Sequence, residues 1–143
     1  MNVSQILRGK GAEVVTIGGA AGVGELARVI TERRVGAAVV VEEGKMVGIV
    51  SERDVVRGLA AHGVGLSSMR VADLMTREVV SCRPEDEVQP LMATMTARRI
   101  RHLPVLIDGR LVGIVSIGDL VKSRLDEVDS EASALREYIG AAR

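Results

Sequence analysis

The sequence is poor in aromatic residues and in cysteine, and each shortage excludes certain kinds of core, binding site or crosslink. Its 143 residues include no Trp, no Phe and one Tyr. The core must therefore be aliphatic, and the chain lacks the aromatic platforms on which single-stranded nucleic acids stack. A single Cys excludes an intrachain disulfide and favours a reducing compartment.

The sequence also lacks an excess of charge and a long apolar run. Nineteen basic and nineteen acidic residues give a formal net charge of zero, which argues against a nucleic-acid partner. Neutrality also does little to keep copies of the chain apart. Because no apolar stretch is long enough for a signal peptide or a membrane span, we expect a soluble cytoplasmic protein with no membrane partner.

What the sequence does contain is an internal repeat. The motif Gly-Ile-Val-Ser at 48–51, followed by Asp54, returns 65 residues later at 113–116, followed by Asp119. When residues 13–57 are aligned with 78–122, 17 of 45 positions are identical. Unrelated sequences would share about three, since each residue type makes up roughly one-twentieth of a protein. Upstream the offset becomes 68, so the first copy has three extra residues around Gly9-Lys10-Gly11.

Each copy predicts the same order of elements, β-α-β-β-α. Short apolar runs predict first strands, helical spacing predicts the next helices, and β-branched runs around Glu-Gly or Asp-Gly turns predict hairpins. A closing helix begins at each motif Asp. In the first copy these elements are expected at 13–17, 23–34, 37–41, 46–50 and 54–61, and in the second at 78–82, 88–99, 103–107, 111–115 and 119–125. Residues 62–70, with two glycines and two serines, predict a loop between the copies.

The tail follows a different pattern. Apolar residues recur at alternating spacings of four and three, which is a heptad seam on a helix. The residues are Val121, Leu125, Val128, Ala132, Leu135 and Ile139. This pattern fits a helix packed on its own domain or a contact between two copies, and the sequence does not choose between them.

These motifs resemble a tandem pair of cystathionine-β-synthase (CBS) domains, also called a Bateman module. The resemblance is carried by Gly-apolar-apolar-Ser-x-x-Asp in both copies and by Arg-His-Leu-Pro-Val at 101–105, and it covers residue 3 to about residue 122. It implies an α/β (α+β) fold with two repeats packed about a pseudo-twofold axis and clefts between them. The expected parts are repeat 1 at 1–62, a linker at 63–70, repeat 2 at 71–124 and a C-terminal helical tail at 125–143.

The resemblance also implies a function. Family members are usually regulatory modules that bind an adenine-containing ligand and change shape, without catalysis and without a required cofactor. We therefore expect an adenine nucleotide, AMP first, with ATP, ADP or NAD(H) as alternatives. S-adenosylmethionine is a further ligand of the family. The module is expected to stand alone as a homodimer and to act on an effector protein that the sequence does not identify.

The resemblance assigns roles to particular residues. The motif carboxylates are expected to bind ribose hydroxyls, the motif serines and nearby basic residues to bind phosphate, and mostly apolar residues to surround the adenine. These residues are Asp54 and Asp119 for ribose; Ser51, Ser116, Arg53, Arg101 and His102 for phosphate; and Val15, Thr16, Ile17, Val80, Ser81, Leu103 and Pro104 for adenine. The alternative for each Ser and Asp is a helix cap. Because Arg101 and His102 align with Gly36 and Ala37, we expect two unequal sites.

Other functions fit the sequence less well than this one. Residues 22–27 match the glycine-rich fingerprint of a dinucleotide-binding fold, but the aligned residues 87–92 contain no glycine and the chain turns into a hairpin. No nucleophile–base pair is visible, and His62, His102 and Cys82 form no metal-ligand cluster, so we expect no enzyme and no metal site. A structural scaffold with vestigial clefts, acting through a partner protein, remains the alternative.

Overall fold

A computed structural model describes residues 1–141, and these residues form two compact units. The first unit contains residues 13–80 and the hairpin tip at 108–112. The second contains residues 1–12, residues 81–107 and residues 113–141. The units therefore differ from the sequence repeats, because the segment that leads into each repeat belongs to the unit built around the other one.

The first unit is a three-stranded sheet with helices. In chain order it contains β1 (Thr16–Ile17), α2 (Val23–Arg33), β2 (Ala37–Glu42), β3 (Lys45–Ser51), α3 (Glu52–His62), a 3₁₀ helix (Gly63–Ser68) and α4 (Val71–Leu74). The strand order is β1-β2-β3, with β1 parallel and β3 antiparallel to β2. The core is aliphatic, as the composition predicts; it consists of Ile17, Leu26, Ile30, Ala38, Val40, Val50 and Val71.

The second unit repeats this plan around a two-stranded sheet. It contains α1 (Val3–Lys10), α5 (Val88–Arg98), β4 (His102–Ile107), β5 (Arg110–Ser116) from residue 113 onward, and α6 (Ile117–Ala141), with β4 beside β5. The last two residues of the predicted tail, 142 and 143, lie outside the described residues. The predicted fold class, two β-α-β-β-α repeats followed by a long C-terminal helix, is confirmed.

Both predicted hairpin turns are present and have the same backbone. Glu43 and Gly44 have φ of 51° and 76°, and Asp108 and Gly109 have φ of 49° and 78°. Two successive residues with positive φ make the tight turn that matches the twist of the flanking strands. The turns fix the register of each hairpin, so that Ser51 lies opposite Ala37 at the end of β3.

Four predictions need correction. The closing helices, expected to begin at Asp54 and Asp119, begin two residues earlier, because each follows directly on the strand that ends at the motif Ser. The first strand of the first copy is shorter than 13–17 and consists of Thr16–Ile17. The corresponding strand of the second copy, expected at 78–82, is reduced to a single bridge between Cys82 and Val105. The predicted loop at 62–70 is mostly a 3₁₀ helix, because buried Leu66 packs against Gly58, where an added Cβ would lie 2.8 Å from Leu66 Cδ1.

Candidate functional site

The first motif lies where β3 passes into α3. Ser51 ends the strand in an extended conformation, and the helix begins at the next residue. The Asp54 carboxylate turns back to Ser51, so that its Oδ2 accepts from the backbone N–H at 2.8 Å and from the hydroxyl at 3.2 Å. The cap predicted as the alternative role is therefore present. We call Ser51 with Asp54 the first junction.

The second motif has the same geometry at the start of α6. Asp119 Oδ2 accepts from the Ser116 N–H at 2.9 Å, and the Asp119 N–H donates to Ser116 Oγ at 3.1 Å. These reciprocal bonds form a capping box. We call Ser116 with Asp119 the second junction.

A lysine distinguishes the second junction from the first. Lys10, at the end of α1, donates from Nζ to Asp119 Oδ2 at 2.7 Å and to the Ile114 carbonyl at 2.9 Å. Partial burial would raise the pKa of Asp119, but the bonds from Lys10 and Ser116 and the lysine charge outweigh it and hold that pKa below its ordinary value. Asp119 is therefore kept ionised, with an internal cation beside it.

The three extra residues of the first copy explain where this lysine comes from. The lead-in helix α4 has four residues, and Thr76 after it exchanges two backbone hydrogen bonds with Ile49, of 3.0 and 2.8 Å. The lead-in helix α1 has eight residues and is followed by its C-cap Gly11, which has φ of 97°. Ile114, the counterpart of Ile49, receives the Lys10 ammonium on its carbonyl.

The motif glycines are explained by the same lead-in segments. A Cβ on Gly48 would lie 2.7 Å from Met75 Sδ and 2.9 Å from the Thr76 carbonyl oxygen. A Cβ on Gly113 would lie 2.8 Å from Leu7 Cδ2. Leu7 and Met75 are equivalent in the offset-68 alignment. The glycine of each motif therefore makes room for the lead-in segment that packs into its unit.

Arg101 lies beside the second junction through its backbone. The Ile117 N–H at the start of α6 donates to the Arg101 carbonyl at 2.8 Å, just as the Glu52 N–H donates to the Gly36 carbonyl at 3.0 Å. The predicted alignment of Arg101 with Gly36 thus corresponds to the same position in the two units. The Arg101 side chain is exposed, whereas Arg53 and His102 are partly buried.

The residues predicted around adenine divide between the units. Val15, Thr16, Ile17 and Val80 belong to the first unit, and Ser81, Leu103 and Pro104 belong to the second. Thr16 and Ser81 are exposed, while the side chains of Ile17, Leu103 and Pro104 are buried. In these units the buried three are core residues, and the Pro104 carbonyl already accepts from the Cys82 N–H at 3.0 Å.

A groove of about 530 Å³ in the first unit borders the first junction, since Gly36, Glu52 and Val55 are among the residues that line it. It is lined mainly by α2 and α3, with Ile30, Arg34, Val55 and Val56 among its walls. Neither Ser51 nor Asp54 lines it. The groove therefore flanks the first junction, whose Ser51 and Asp54 are themselves partly buried.

The described residues also bear on membrane and metal binding. Across residues 1–141, no helix is both long and apolar enough to cross a membrane. In the same part of the chain, no three His, Cys, Asp or Glu residues lie together as metal ligands would. Cys82 is buried, and this burial, with a smaller effect of the Asp86 charge, raises its pKa to about 12, so the thiol stays protonated.

Comparison with known proteins identifies the family. The model of the CBS domain matches residues 3–61 and 71–126, which is most of the chain. The chain belongs to the CBS domain family. Each of the two matched ranges contains one of the junctions described above.

The CBS relatives include proteins of different length. The mitochondrial CBS domain-containing protein CBSX3 of Arabidopsis thaliana is 40% identical over 115 residues, which cover 77% of this chain and 56% of that protein. The chain therefore spans little more than half of that relative. Since CBSX3 is mitochondrial by its name, the predicted cytoplasmic location of this chain stays a prediction.

Solved CBS structures share the fold. The CBS-domain protein ATU1752 of Agrobacterium tumefaciens is 41% identical, with a TM-score of 0.85, and the match covers 87% of this chain and 99% of that one. The CBS domain pair of protein MJ0100 is 26% identical, with a TM-score of 0.75 and coverage of 90% and 98%. That pair was solved in complex with 5′-methylthioadenosine and S-adenosyl-L-methionine.

Sequence reasoning found the repeated junctions but missed two contributors to them. It did not assign Lys10 to the second junction, although the inserted Gly-Lys-Gly was visible as a break in the repeat. It also gave the motif glycines no packing role. A glycine at the same place in two aligned strands was the available signal, because glycine inside a strand often marks a close approach.

Proposed function

We propose that this chain is a regulatory, non-catalytic module whose two junctions bind an adenine nucleotide. AMP is the first candidate, with ATP, ADP or NAD(H) as alternatives. One observation carries the proposal: each motif carboxylate is held by its own turn through Oδ2, while within residues 1–141 no hydrogen bond reaches Oδ1 of either. Each junction thus offers a partly exposed, oriented acceptor.

The chemistry of the junctions fits a nucleotide. A carboxylate accepts from hydroxyl groups more strongly than a neutral oxygen does, so Asp54 and Asp119 suit ribose hydroxyls. The adjacent serines lie at helix starts, where unpaired N–H groups favour an anion such as phosphate. Arg53, Arg101 and His102 are proposed to add phosphate contacts. A cap and a ligand contact are compatible, because the cap uses one carboxylate oxygen.

The relative MJ0100 supports the ligand class. Its CBS pair holds two adenosyl compounds, and both contain the adenine and ribose that the proposal requires. They differ from AMP in having no phosphate. The basic residues of this chain are the reason for ranking a phosphorylated ligand first.

The experiment has two stages. Denaturing mass spectrometry of the purified protein identifies any bound adenine compound, and a thermal-shift panel then tests AMP, ADP, ATP, NAD⁺, NADH and S-adenosylmethionine. A ligand that binds only the folded state stabilises it by about 2.7 kcal/mol at a hundredfold excess over its dissociation constant, so we expect a clear upward shift. No bound compound and no shift from any member of the panel would contradict the proposal.

A matched pair of variants makes the test specific to the junctions. Asp54→Asn with Asp119→Asn keeps an oxygen for each cap but removes the charge, and we expect the ligand-induced shift to be lost. Asp126→Asn, on an exposed part of α6, removes one carboxylate elsewhere and should keep the shift. If the double variant binds every ligand as the parent does, the scaffold alternative with vestigial clefts is favoured.

We further propose that two copies associate through α6, which carries the predicted heptad seam. Five seam residues, Val121, Leu125, Val128, Leu135 and Ile139, are between 40% and 60% exposed. Exposed apolar residues in a continuous stripe are a feature of protein contacts. Their exposure argues against the simpler interpretation that α6 packs the whole seam on its own unit.

Charges beside the seam favour a second copy of this chain as the occupant. In a parallel, in-register pair, Arg124 would face Asp129 of the other copy, and Glu131 would face Arg136. Both flanking pairs then join opposite charges, which is how such helices select their partner. Arg124 also pairs with Glu127 of its own chain at 3.0 Å, so its attraction to the other copy is shared with this contact. The apolar seam therefore supplies the main contact, and the flanking charges add selectivity.

Light scattering tests this association. We expect the parent to have the mass of a dimer and Leu125→Asp with Leu135→Asp to have that of a monomer, because buried unpaired carboxylates are costly. Ser130→Asp, which adds the same charge on the opposite face of α6, is the control and should remain a dimer. A double variant that stays dimeric would place the interface elsewhere, and a monomeric parent would contradict the homodimer itself.

A further inference from the structure

Lys10 contacts the second junction but has no role in the nucleotide binding proposed above. Its ammonium is 2.7 Å from Asp119 Oδ2 and 2.9 Å from the Ile114 carbonyl oxygen, and the side chain is 33% exposed. An ammonium has three N–H donors, and these contacts use two of them. The group is therefore bound to the junction but still accessible to a ligand.

The lysine is carried by an anchored helix. Val3 and Ile6 of α1 are buried, and Leu7 packs closely over Gly113 in the strand that leads to the junction. Lys10 follows Leu7 by one turn. Its backbone is thus fixed near the junction, while its four-carbon side chain can move the charge over a short distance.

A purely structural role does not explain why an ammonium is needed here. In the first unit, the carbonyl of Ile49 is satisfied by the backbone N–H of Thr76 at 2.8 Å. The first junction forms its cap without a lysine. The inserted segment therefore adds a positive charge to the second junction, although the first junction forms the same carboxylate turn without a lysine.

Resting on the nucleotide site proposed above, we propose that Lys10 makes the second junction selective for ligands that carry a phosphate. A ribose hydroxyl that donates to Oδ1 of Asp119 shares the carboxylate with the ammonium, which is bound to Oδ2. A 5′-phosphate on the same sugar offers the remaining N–H of the ammonium a new anionic acceptor. A neutral or cationic 5′-substituent offers none, so its ligand gains no contact with Lys10.

The exposed side chain of Arg101 is consistent with this preference. Its backbone carbonyl is bonded to the first residue of α6, so the arginine begins beside the same turn as Asp119. The corresponding residue of the first unit is Gly36, which has no charge. Two cations, Lys10 and Arg101, thus distinguish the second junction from the same positions of the first.

Two ligands that differ at one position provide the test. AMP and 5′-methylthioadenosine share adenosine and differ at the 5′ group, which is a phosphate in one and an uncharged thioether in the other. Calorimetric titration of the full chain carrying Asp54→Asn measures both affinities with the first junction weakened. We expect AMP to bind at least about tenfold more tightly, the ratio that one charge-assisted contact supplies.

Variants of α1 then assign the preference to the lysine. Lys10→Met keeps the aliphatic stem and removes the charge, and we expect the AMP preference to fall to within about threefold. Lys10→Arg should retain most of it. Arg8→Met removes an exposed charge from the same turn of α1 and should leave the preference unchanged. Because the readout is a ratio of two affinities in one protein, a modest loss of stability does not imitate the result.

The outcomes separate this inference from the proposal that it rests on. If neither ligand binds the parent protein, the nucleotide site itself is wrong. If the parent binds but the Asp54→Asn protein does not, the second junction is not the ligand site and Lys10 has no such role. If both ligands bind and Lys10→Met leaves their ratio unchanged, phosphate selectivity does not come from Lys10.

Discussion

The two junctions share one backbone plan and differ in what the neighbouring lead-in segment brings to them. At the first, α4 is short, and Thr76 continues as a backbone bridge to Ile49. At the second, α1 is longer by an inserted turn, and a lysine side chain takes the equivalent carbonyl and pairs with Asp119. The repeated motif therefore determines the geometry of the carboxylate turn, while a sequence far from the motif adds a lysine to the second junction.

Substituting the glycine of each motif should give the largest measurable difference between the two junctions. Gly48→Ala should destabilise the protein by about 2–3 kcal/mol, because the new Cβ would meet a backbone carbonyl oxygen at 2.9 Å as well as Met75. Gly113→Ala should cost about 1 kcal/mol, since the nearest atoms belong to the movable end of Leu7. Urea denaturation of both variants measures the difference.

A double-mutant cycle is the control for these two values. Leu7→Ala should relieve much of the cost of Gly113→Ala, because it removes the atoms that the new methyl group meets. Met75→Ala should relieve less of the cost of Gly48→Ala, because the Thr76 carbonyl remains. If the two glycine variants lose the same free energy of unfolding, both lead-in segments tolerate an added methyl group equally well. That result would contradict the proposed difference in packing between the two junctions.

The sequence predicted the parts of the molecule that depend on local patterns. The hairpin turns follow from Glu43-Gly44 and Asp108-Gly109, and the helix starts follow from the motif Ser and Asp, because turns and caps are satisfied within a few residues. The weak first strands were predicted too long, since pairing with β2 or β4 is decided by the sheet and not by the apolar run alone.

What could not be predicted depends on contacts between distant residues. Lys10 and Asp119 are 109 residues apart, and Leu7 and Gly113 are 106 apart in a chain with no pattern that joins them. Both contacts exist because residues 1–12 pack into the unit built around the second repeat. The break in the repeat marked the place where the copies differ, but only the fold gave that difference a chemical meaning.

The pKa of Asp119 and the pH dependence of stability give a smaller but more direct measure of the electrostatic effect of Lys10. The pKa of Asp119 is lowered in the folded state, so its contribution to stability is present above the unfolded value of 3.8 and is lost as the pH falls through the lower folded pKa. Lys10→Met should raise the folded pKa and reduce this contribution. Carboxyl NMR titration measures the midpoint, and urea denaturation from pH 7 downward measures the stability.

Arg8→Met is the matched control, because it removes one positive charge from α1 without touching the carboxylate. If both variants move the Asp119 midpoint equally, the effect comes from the general charge of α1, and the contact at 2.7 Å has no special weight. If Lys10→Met alone moves it, the ammonium is electrostatically coupled to the carboxylate in solution. A phosphate-bearing ligand at the second junction then meets an ammonium that is already coupled to Asp119. Because the first junction has no such lysine, we expect the two junctions to prefer different ligands.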